Sequence, residues 1–306
     1  MNILIAGASG FIGHELVDAL YTNHQVTVIG RNKQIVCQQF SKIASCHDWD
    51  ELHTLNANEY DAVINLCGEN IAGARWSDTV KKKLIDSRVK TSETLINWMI
   101  SQKAKPHFLC ANAIGIYGVQ EHGDPTALDE DTVIQIDHPS DFLNEICVKW
   151  QAALKPAIDD GIRVTMTRFG VVLKKQQGML KKLFPSFFMG LGSIVGDGKQ
   201  SLSWIHINDV VGGIIFLLDN PDLTGPFNLT SPHPVSQETF ARTLADVMHR
   251  PLFLTMPSFI VKILFGEMGE YLLLEGQRVL PKRLSEAGYT FKYPRLRDAL
   301  NHEFSE

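Results

Sequence analysis

Ile3-Leu4-Ile5-Ala6-Gly7-Ala8-Ser9-Gly10-Phe11-Ile12-Gly13 joins an apolar run to a glycine-spaced turn, and together with the next helix and strand it determines the architecture. Residues 3–6 read as a buried strand. A helix comes next, with apolar positions at Ile12, Leu16, Ala19 and Leu20, and Gln25-Val26-Thr27-Val28-Ile29 reads as a second strand. Strand, glycine turn, helix and strand at this spacing form a βαβ unit. The glycines have distinct tasks: a tight turn, close approach of backbone to a pyrophosphate, and close packing of helix on strand. Free N–H groups and the positive dipole end at the helix start suit a phosphate. Gly7, Ser9, Gly10, Phe11, Ile12 and Gly13 are therefore candidate dinucleotide contacts.

The end of the second strand indicates which dinucleotide. A carboxylate that grips a ribose 2′-hydroxyl normally stands there, but this chain has Gly30 followed by Arg31. An acid would repel a 2′-phosphate, whereas a guanidinium forks onto it. The expected cofactor is NADP(H) rather than NAD(H).

At 306 residues the chain can bury a large core, and 44% hydrophobic with 21% charged residues is ordinary globular composition. A net charge of -5 argues against a general nucleic-acid-binding role. Lys81-Lys82-Lys83 and Lys181-Lys182 are too short to change that. The five cysteines (Cys37, Cys46, Cys67, Cys110 and Cys147) show no C-x-x-C spacing and read as reduced thiols, with no metal expected. No apolar run approaches the ~18 residues that span a bilayer. With no charged leader before the first strand, the expectation is a cytoplasmic protein without a membrane or nucleic-acid partner, a monomer or homodimer with a small-molecule substrate.

Strands and helices then alternate as in a doubly wound parallel sheet. A weak third strand falls near Ile43–Cys46, and Asp48, Trp49 and Asp50 are candidates to line an adenine. Tyr60–Gly68 is a clear fourth strand, followed by a helix from about Ser77 to Ser101. His107–Ala111 gives a fifth strand, and 120–141 an acidic loop over the active face. A helix over 141–154 and a strand over 163–169 continue the pattern. Past Leu173 the rhythm changes. The Gly-, Phe- and Met-rich stretch 178–198 reads as a mobile or ligand-covering loop. Trp204–Asp209 leads into an apolar helix over 210–218, with Asn208 or Asp209 as its N-cap. Residues 226–229 return a strand to the sheet, and 231–306 form a helical tail. The expected fold is thus α/β, a Rossmann-type doubly wound parallel sheet with a smaller, mostly helical C-terminal lobe. Residues 1–173, completed by about 205–230, would form the nucleotide domain. Residues 174–204 and 231–306 would form the substrate-side lobe.

With these residues in place, the chain resembles the extended short-chain dehydrogenase/reductases. The resemblance is strongest to the atypical "epimerase family" group, NAD-dependent epimerase/dehydratase-like proteins with a C-terminal domain of unknown function. The shared pattern runs nearly end to end. It includes the glycine turn, Asn65-Leu66-Cys67-Gly68-Glu69-Asn70-Ile71, Arg75-Trp76, Ser87-Arg88, Gly170-Val171-Val172-Leu173 and Trp204-Ile205-His206. The tail segments Gly266-Glu267 and Gly276-Gln277-Arg278-Val279-Leu280-Pro281 are the most specific part, because nucleotide binding in general does not require them. The resemblance implies bound NADP(H), with Leu66, Cys67, Gly68 and Asn112 beside the cofactor as well.

Typical members carry Y-x-x-x-K on the helix after the fifth strand and a Ser or Thr at that strand's end. The Tyr phenol shuttles a proton while hydride moves to or from the nicotinamide. Here the pattern falls on Phe142-Leu143-Asn144-Glu145-Ile146 and the hydroxyl place on Asn112. Phe142 and Ile146 cannot transfer a proton. Three residues are candidate stand-ins. Tyr117 offers a phenol, or an aromatic wedged under the loop. Asn112 is suited to bond a substrate carbonyl, or to cap the strand end. His206 is suited to neutral-pH proton transfer, or to a satisfied structural role. Lys149 lies seven residues from Phe142, within reach of a ribose or free in solvent. Arg75-Trp76 falls at the sheet edge where ligands enter and is the candidate substrate contact. Glu69 and Glu121 are further candidate acids with nothing to single them out.

Two functions of different kind are consistent with these residues: an NADP(H)-dependent oxidoreductase or epimerase acting on a small polar substrate, or a non-catalytic NADP(H)-binding redox sensor or regulator. Both depend on Arg31. Replacing it, Arg31→Asp, removes a charge-assisted contact of about 1.5–3 kcal/mol and adds repulsion. NADPH affinity, measured by fluorescence titration, should fall roughly 10- to 100-fold relative to NADH; an unchanged preference would place the 2′-phosphate elsewhere.

Overall fold

The computed structural model describes residues 1–40 and 45–304. In the first half, β1 (Asn2–Ala6), α1 (Phe11–Leu20), β2 (Gln25–Gly30), α2 (Lys33–Gln39), β3 (Ser45–Asp48), β4 (Ala62–Asn65), α3 (Asp78–Ser101) and β5 (His107–Ala113) alternate. Then come α4 (Phe142–Ala152), α5 (Lys155–Asp159), β6 (Val164–Phe169), β7 (Val171–Lys174), α6 (Gly178–Phe188), β8 (Ser193–Val195), β9 (Ser201–Leu202) and β10 (Trp204–His206). The rest is α7 (Ile207–Asp219), β11 (Gly225–Leu229), β12 (Val235–Ser236), α8 (Gln237–Val247), β13 (Leu254–Met256), α9 (Ser258–Gly269), α10 (Lys282–Glu286) and α11 (Leu296–Phe304).

Seven strands form one parallel sheet in the order β11-β6-β5-β4-β1-β2-β3. Helices cover both faces, so its central strands are apolar without alternation. Ile3, Leu4, Ile5 and Ala6 all have no exposed surface. On one face Leu16, Val17 and Leu20 of α1 meet Ile207, Val210, Ile214 and Leu217 of α7. On the other, Leu95, Ile96, Trp98 and Met99 of α3 pack with Trp150 and Leu154. The strand order reverses between β1 and β4, and a crevice beyond the carboxyl ends of these strands is where such sheets bind ligands.

Local sequence explains several helix starts. Ser77 caps α3 by accepting from the Val80 N–H, and Asp141 caps α4 by accepting from the Asn144 N–H. The α7 start departs from expectation. The helix begins at Ile207, and the cap is His206, whose Nδ1 accepts the Asn208 N–H at 3.1 Å. Neither Asn208 nor Asp209 caps it, because the carboxylate of buried Asp209 is aimed at the C-terminal tail. It accepts from the backbone N–H groups of Lys292 (2.6 Å) and Tyr293 (2.8 Å) and from the Tyr289 hydroxyl (3.2 Å).

The stretch 178–198 is a second correction. It is α6 followed by β8, not a loop. Leu180, Leu183, Phe184 and Phe187 recur at helical spacing, and Leu180 and Phe187 enter a third core. Trp204, Phe240, Leu244, Leu296 and Leu300 complete that core, which joins β7, α6, α8 and α11. The expected third strand lies at Ser45–Asp48; Ile43 and Ala44, where the sequence places its start, fall outside the described residues. Residues 119–141 contain no helix and dock on the tail, where the Leu128 N–H donates to Arg278 O and the Leu280 N–H to Leu128 O, both at 2.8 Å.

Asp209→Ala removes the acceptor that two backbone N–H groups of the tail share. A loss of about 2–3 kcal/mol is expected, read as a lowered denaturation midpoint with an unchanged slope. A midpoint within error of wild type would show that water satisfies these groups.

Candidate functional site

The glycine turn brings three backbones together. Gly7 has φ +87°, and a Cβ there would lie 2.7–2.8 Å from Leu66 C and Cys67 N at the end of β4. A Cβ on Gly13 would lie 2.3 Å from Gly7 O, so α1 packs directly on the turn. The Gly10 N–H donates to Gly7 O at 3.0 Å. No side chain caps α1, so its first N–H groups, at Phe11, Ile12 and Gly13, are left for an acceptor from outside the helix. Ser9 is exposed beside them.

At the end of β2, a Cβ on Gly30 would lie 2.3 Å from Val36 Cγ2, so any side chain there requires Val36 to shift. The Arg31 side chain is 88% exposed, its guanidinium 3.7 Å from the Glu69 carboxylate. Such an exposed pair contributes little and yields readily to a phosphate. Glu69 is itself anchored through its backbone, its N–H donating to Ser87 Oγ and its carbonyl accepting from Arg88 Nη2, each at 3.0 Å. The Arg88 guanidinium also donates to Leu84 O and lies over the Trp150 ring. It stands 3.1–3.3 Å from where a Gly68 side chain would begin, which sets a positive charge beside Cys67-Gly68. Ser87-Arg88 is visible in the sequence as part of a shared pattern, but its place under Gly68 is not. Asp48, a candidate adenine neighbour, is occupied in a reciprocal cap with Glu51.

The three candidate proton carriers are each held in a local network, and none hydrogen-bonds another. Asn112 is buried at the end of β5; its Nδ2 donates to Cys147 O at 3.2 Å and its Oδ1 accepts from the Ala113 N–H at 2.7 Å. Tyr117 donates to Asn228 Oδ1 at 2.9 Å and accepts from Arg168 Nη1 at 2.8 Å. Burial pushes its phenol pKa up. His206 is fully buried. With Nδ1 accepting from Asn208, the ring proton rests on Nε2 and is donated to Glu303 Oε1 at 2.8 Å. Burial raises the thiols of Cys67, Cys110 and Cys147 to about 12, so all three stay protonated. Lys149 pairs with Glu145 at the surface.

Phe142 and Ile146, in the places of the usual Tyr and Lys, are buried with Leu84 in an apolar cluster ringed by Ile71, Trp76, Val80 and Ile85. Trp76 sets its edge on the Phe142 ring at 4.9 Å and stacks with Tyr271 at 6.5 Å. Lys81 Nζ lies 4.8 Å over the Phe142 ring and pairs with Glu267 at 2.7 Å. Arg75 donates to Ile263 O, beside Gly266, where a φ of +60° kinks α9. Lys182 of α6 donates to Ala72 O. The tail therefore closes over Arg75-Trp76 and brings Lys81, Glu267 and Tyr271 to the Phe142 cluster. Only the tertiary fold reveals that gathering.

A parallel sheet with its glycine turn at the strand-order reversal, an uncapped helix start and a basic residue past β2 are the features of a nicotinamide-dinucleotide-binding protein. The chain belongs to the NAD dependent epimerase/dehydratase family, whose model matches residues 3–230; a domain of unknown function, DUF1731, matches residues 256–303. An epimerase family protein of Mycobacterium bovis is 36% identical over 301 residues, covering 98% of this chain and 96% of that protein. A chloroplastic epimerase family protein of Arabidopsis thaliana is 37% identical over 313 residues, covering 98% and 86%. The crystal structure of a human epimerase family protein, determined with NADPH, superposes with a TM-score of 0.88 at 31% identity over 99% of this chain and 98% of that one. The family is NAD(P)-dependent, and the Rossmann-type architecture read from the sequence is the one observed.

Placing Tyr and Lys at these two positions tests the packing. Ile146 is 3% exposed among apolar neighbours, so Ile146→Lys buries an ammonium and should cost about 2–4 kcal/mol. Phe142→Tyr adds only a hydroxyl and should cost about 1 kcal/mol. Equal thermal midpoints for the two variants would contradict this packing.

Proposed function

We propose that this protein binds NADP(H) and acts as an oxidoreductase or epimerase of the short-chain dehydrogenase/reductase type on a small-molecule substrate. The observation that carries the reading is Gly30-Arg31. The end of β2 carries no acid, a side chain at Gly30 would press on Val36, and an exposed guanidinium stands next to it. The human relative's structure with NADPH supports the same choice.

Gly7, Gly10 and Gly13 let the backbone approach a pyrophosphate, and the N–H groups of Phe11 and Ile12 stabilise its charge. Ser9, Leu66, Cys67, Gly68 and Asn112 line the same crevice, and Arg31 takes the 2′-phosphate. The bound cofactor supplies hydride transfer. We place the proton on Lys81, whose Nζ lies at the Phe142 ring and is oriented by Glu267. Tyr271 stays a neutral donor because burial, together with Asp141 and its neighbouring glutamates, raises its pKa. Arg75 and Trp76 face the substrate.

One observation favours a second reading, a redox sensor without turnover: Phe142 and Ile146 form an apolar cluster where a proton relay would stand. NADPH absorbance, followed with purified protein and fractionated small-molecule extract, separates the two. Consumption lost in Arg31→Asp, and slowed at least roughly 100-fold in Lys81→Met, is the expected result. Tight NADPH binding with no consumption in any fraction would overturn the enzyme reading in favour of the sensor.

A further inference from the structure

The tail carries an apolar surface that the core does not use. In α9, Ser258–Gly269, only Val261 and Gly269 of the twelve residues are buried, although most of the helix is apolar. Phe259, Ile263 and Leu264 point outward, Ile263 with 68% of its surface exposed. The β13 strand preceding the helix begins at exposed Leu254, next to Phe253, which is 86% exposed. The end of α6 adds Phe188, Met189 and Leu191. These pieces form one face. β13 pairs with β8, the Gly196 N–H donates to Met256 O, and Arg250 donates to Phe188 O with its guanidinium over that ring. Soluble monomers rarely leave so many large apolar side chains together in water.

Charge indicates what covers this face. Segments 175–196 and 247–266 contain Lys175, Lys181, Lys182, Arg250 and Lys262 and no acidic residue, in a chain whose net charge is -5. Lys262 is matched by Glu270. Among the described residues no carboxylate pairs with Lys181, Lys182 or Arg250. A second copy of the chain seated by two-fold symmetry would set these cations against their own kind. Outward Phe, Ile and Leu rimmed by Lys and Arg is instead the pattern of a surface that lies in a bilayer interface.

We propose that the face formed by the end of α6, β13 and α9 docks this protein onto an anionic lipid surface, with the apolar side chains entering the headgroup boundary and the lysines on the lipid charge. The expectation of no membrane partner rests on the lack of a spanning segment; no helix among the described residues is long and apolar enough to cross. Docking needs no span. The face adjoins the crevice, since α6 and α9 hold residues 72–75 through Lys182 and Ile263, so a docked molecule would present its crevice beside the bilayer.

The test is flotation of the full chain with vesicles of phosphatidylcholine alone and of phosphatidylcholine with about 30% phosphatidylserine, at roughly 0.1 M salt. Flotation with the anionic vesicles and not the neutral ones is expected. The double variant Phe253→Ser with Ile263→Ser, and separately Lys181→Glu, should each reduce binding at least roughly tenfold while melting as wild type does. No flotation, equal flotation with both vesicle types, or variants that bind like wild type would overturn the proposal. A wild-type dimer that the double variant converts to monomer would also overturn it, by assigning the face to a second copy. None of these readouts depends on the cofactor.

Discussion

The close approach of backbone at Gly7 governs the rest of the structure. Only because Gly7 and Gly13 lack side chains can the end of β1, the start of α1 and the end of β4 meet within van der Waals distance. That contact sets α1 on the sheet, opens the crevice where the strand order reverses, and leaves the first N–H groups of α1 without acceptors. Every cofactor-side residue is placed relative to it. Leu66 and Cys67 touch it, Gly68 and Arg88 follow from β4 and α3, and Arg31 comes off the neighbouring strand. An Ala at Gly13 would meet the Gly7 carbonyl head-on and disturb both the fold and the anion site.

The nucleotide side of the crevice thus keeps the physics usual for a dinucleotide fold, and the proposed reading puts proton transfer at a different place from the usual one. Phe142 and Ile146, where the sequence pattern would put the usual Tyr and Lys, form an apolar cluster with Leu84 and Trp76. Lys81 and Glu267 pair at 2.7 Å at the rim of that cluster. The C-terminal segment supplies Glu267 and Tyr271, which contact Lys81 and Trp76 beside this cluster.

Much of this is legible in the sequence, and the misses share a cause. The glycine turn, the apolar strands and the helix starts near Ser77 and Asp141 are local signals, decided within a few residues, and the structure follows them. Asn112, Tyr117 and His206 look available in sequence because their partners are remote: Cys147, Arg168 and Glu303 lie 35, 51 and 97 residues away. Asp209 looks like a cap for the same reason, its true partners being Lys292 and Tyr293. α6 looks like a loop because Gly178, Gly190 and Pro185 mask a helical spacing whose apolar residues find α8 and α11 only in three dimensions. An apolar residue such as Ile263 carries no sign in the sequence that it will remain outside.

On the proposed reading, the crevice distinguishes a 2′-phosphate through Arg31. The most direct test of this is competition against bound NADPH by two fragments that differ in that group alone, 2′,5′-ADP and 5′-AMP. The account predicts that 2′,5′-ADP displaces NADPH at least roughly tenfold more tightly. Equal displacement by the two fragments would contradict it.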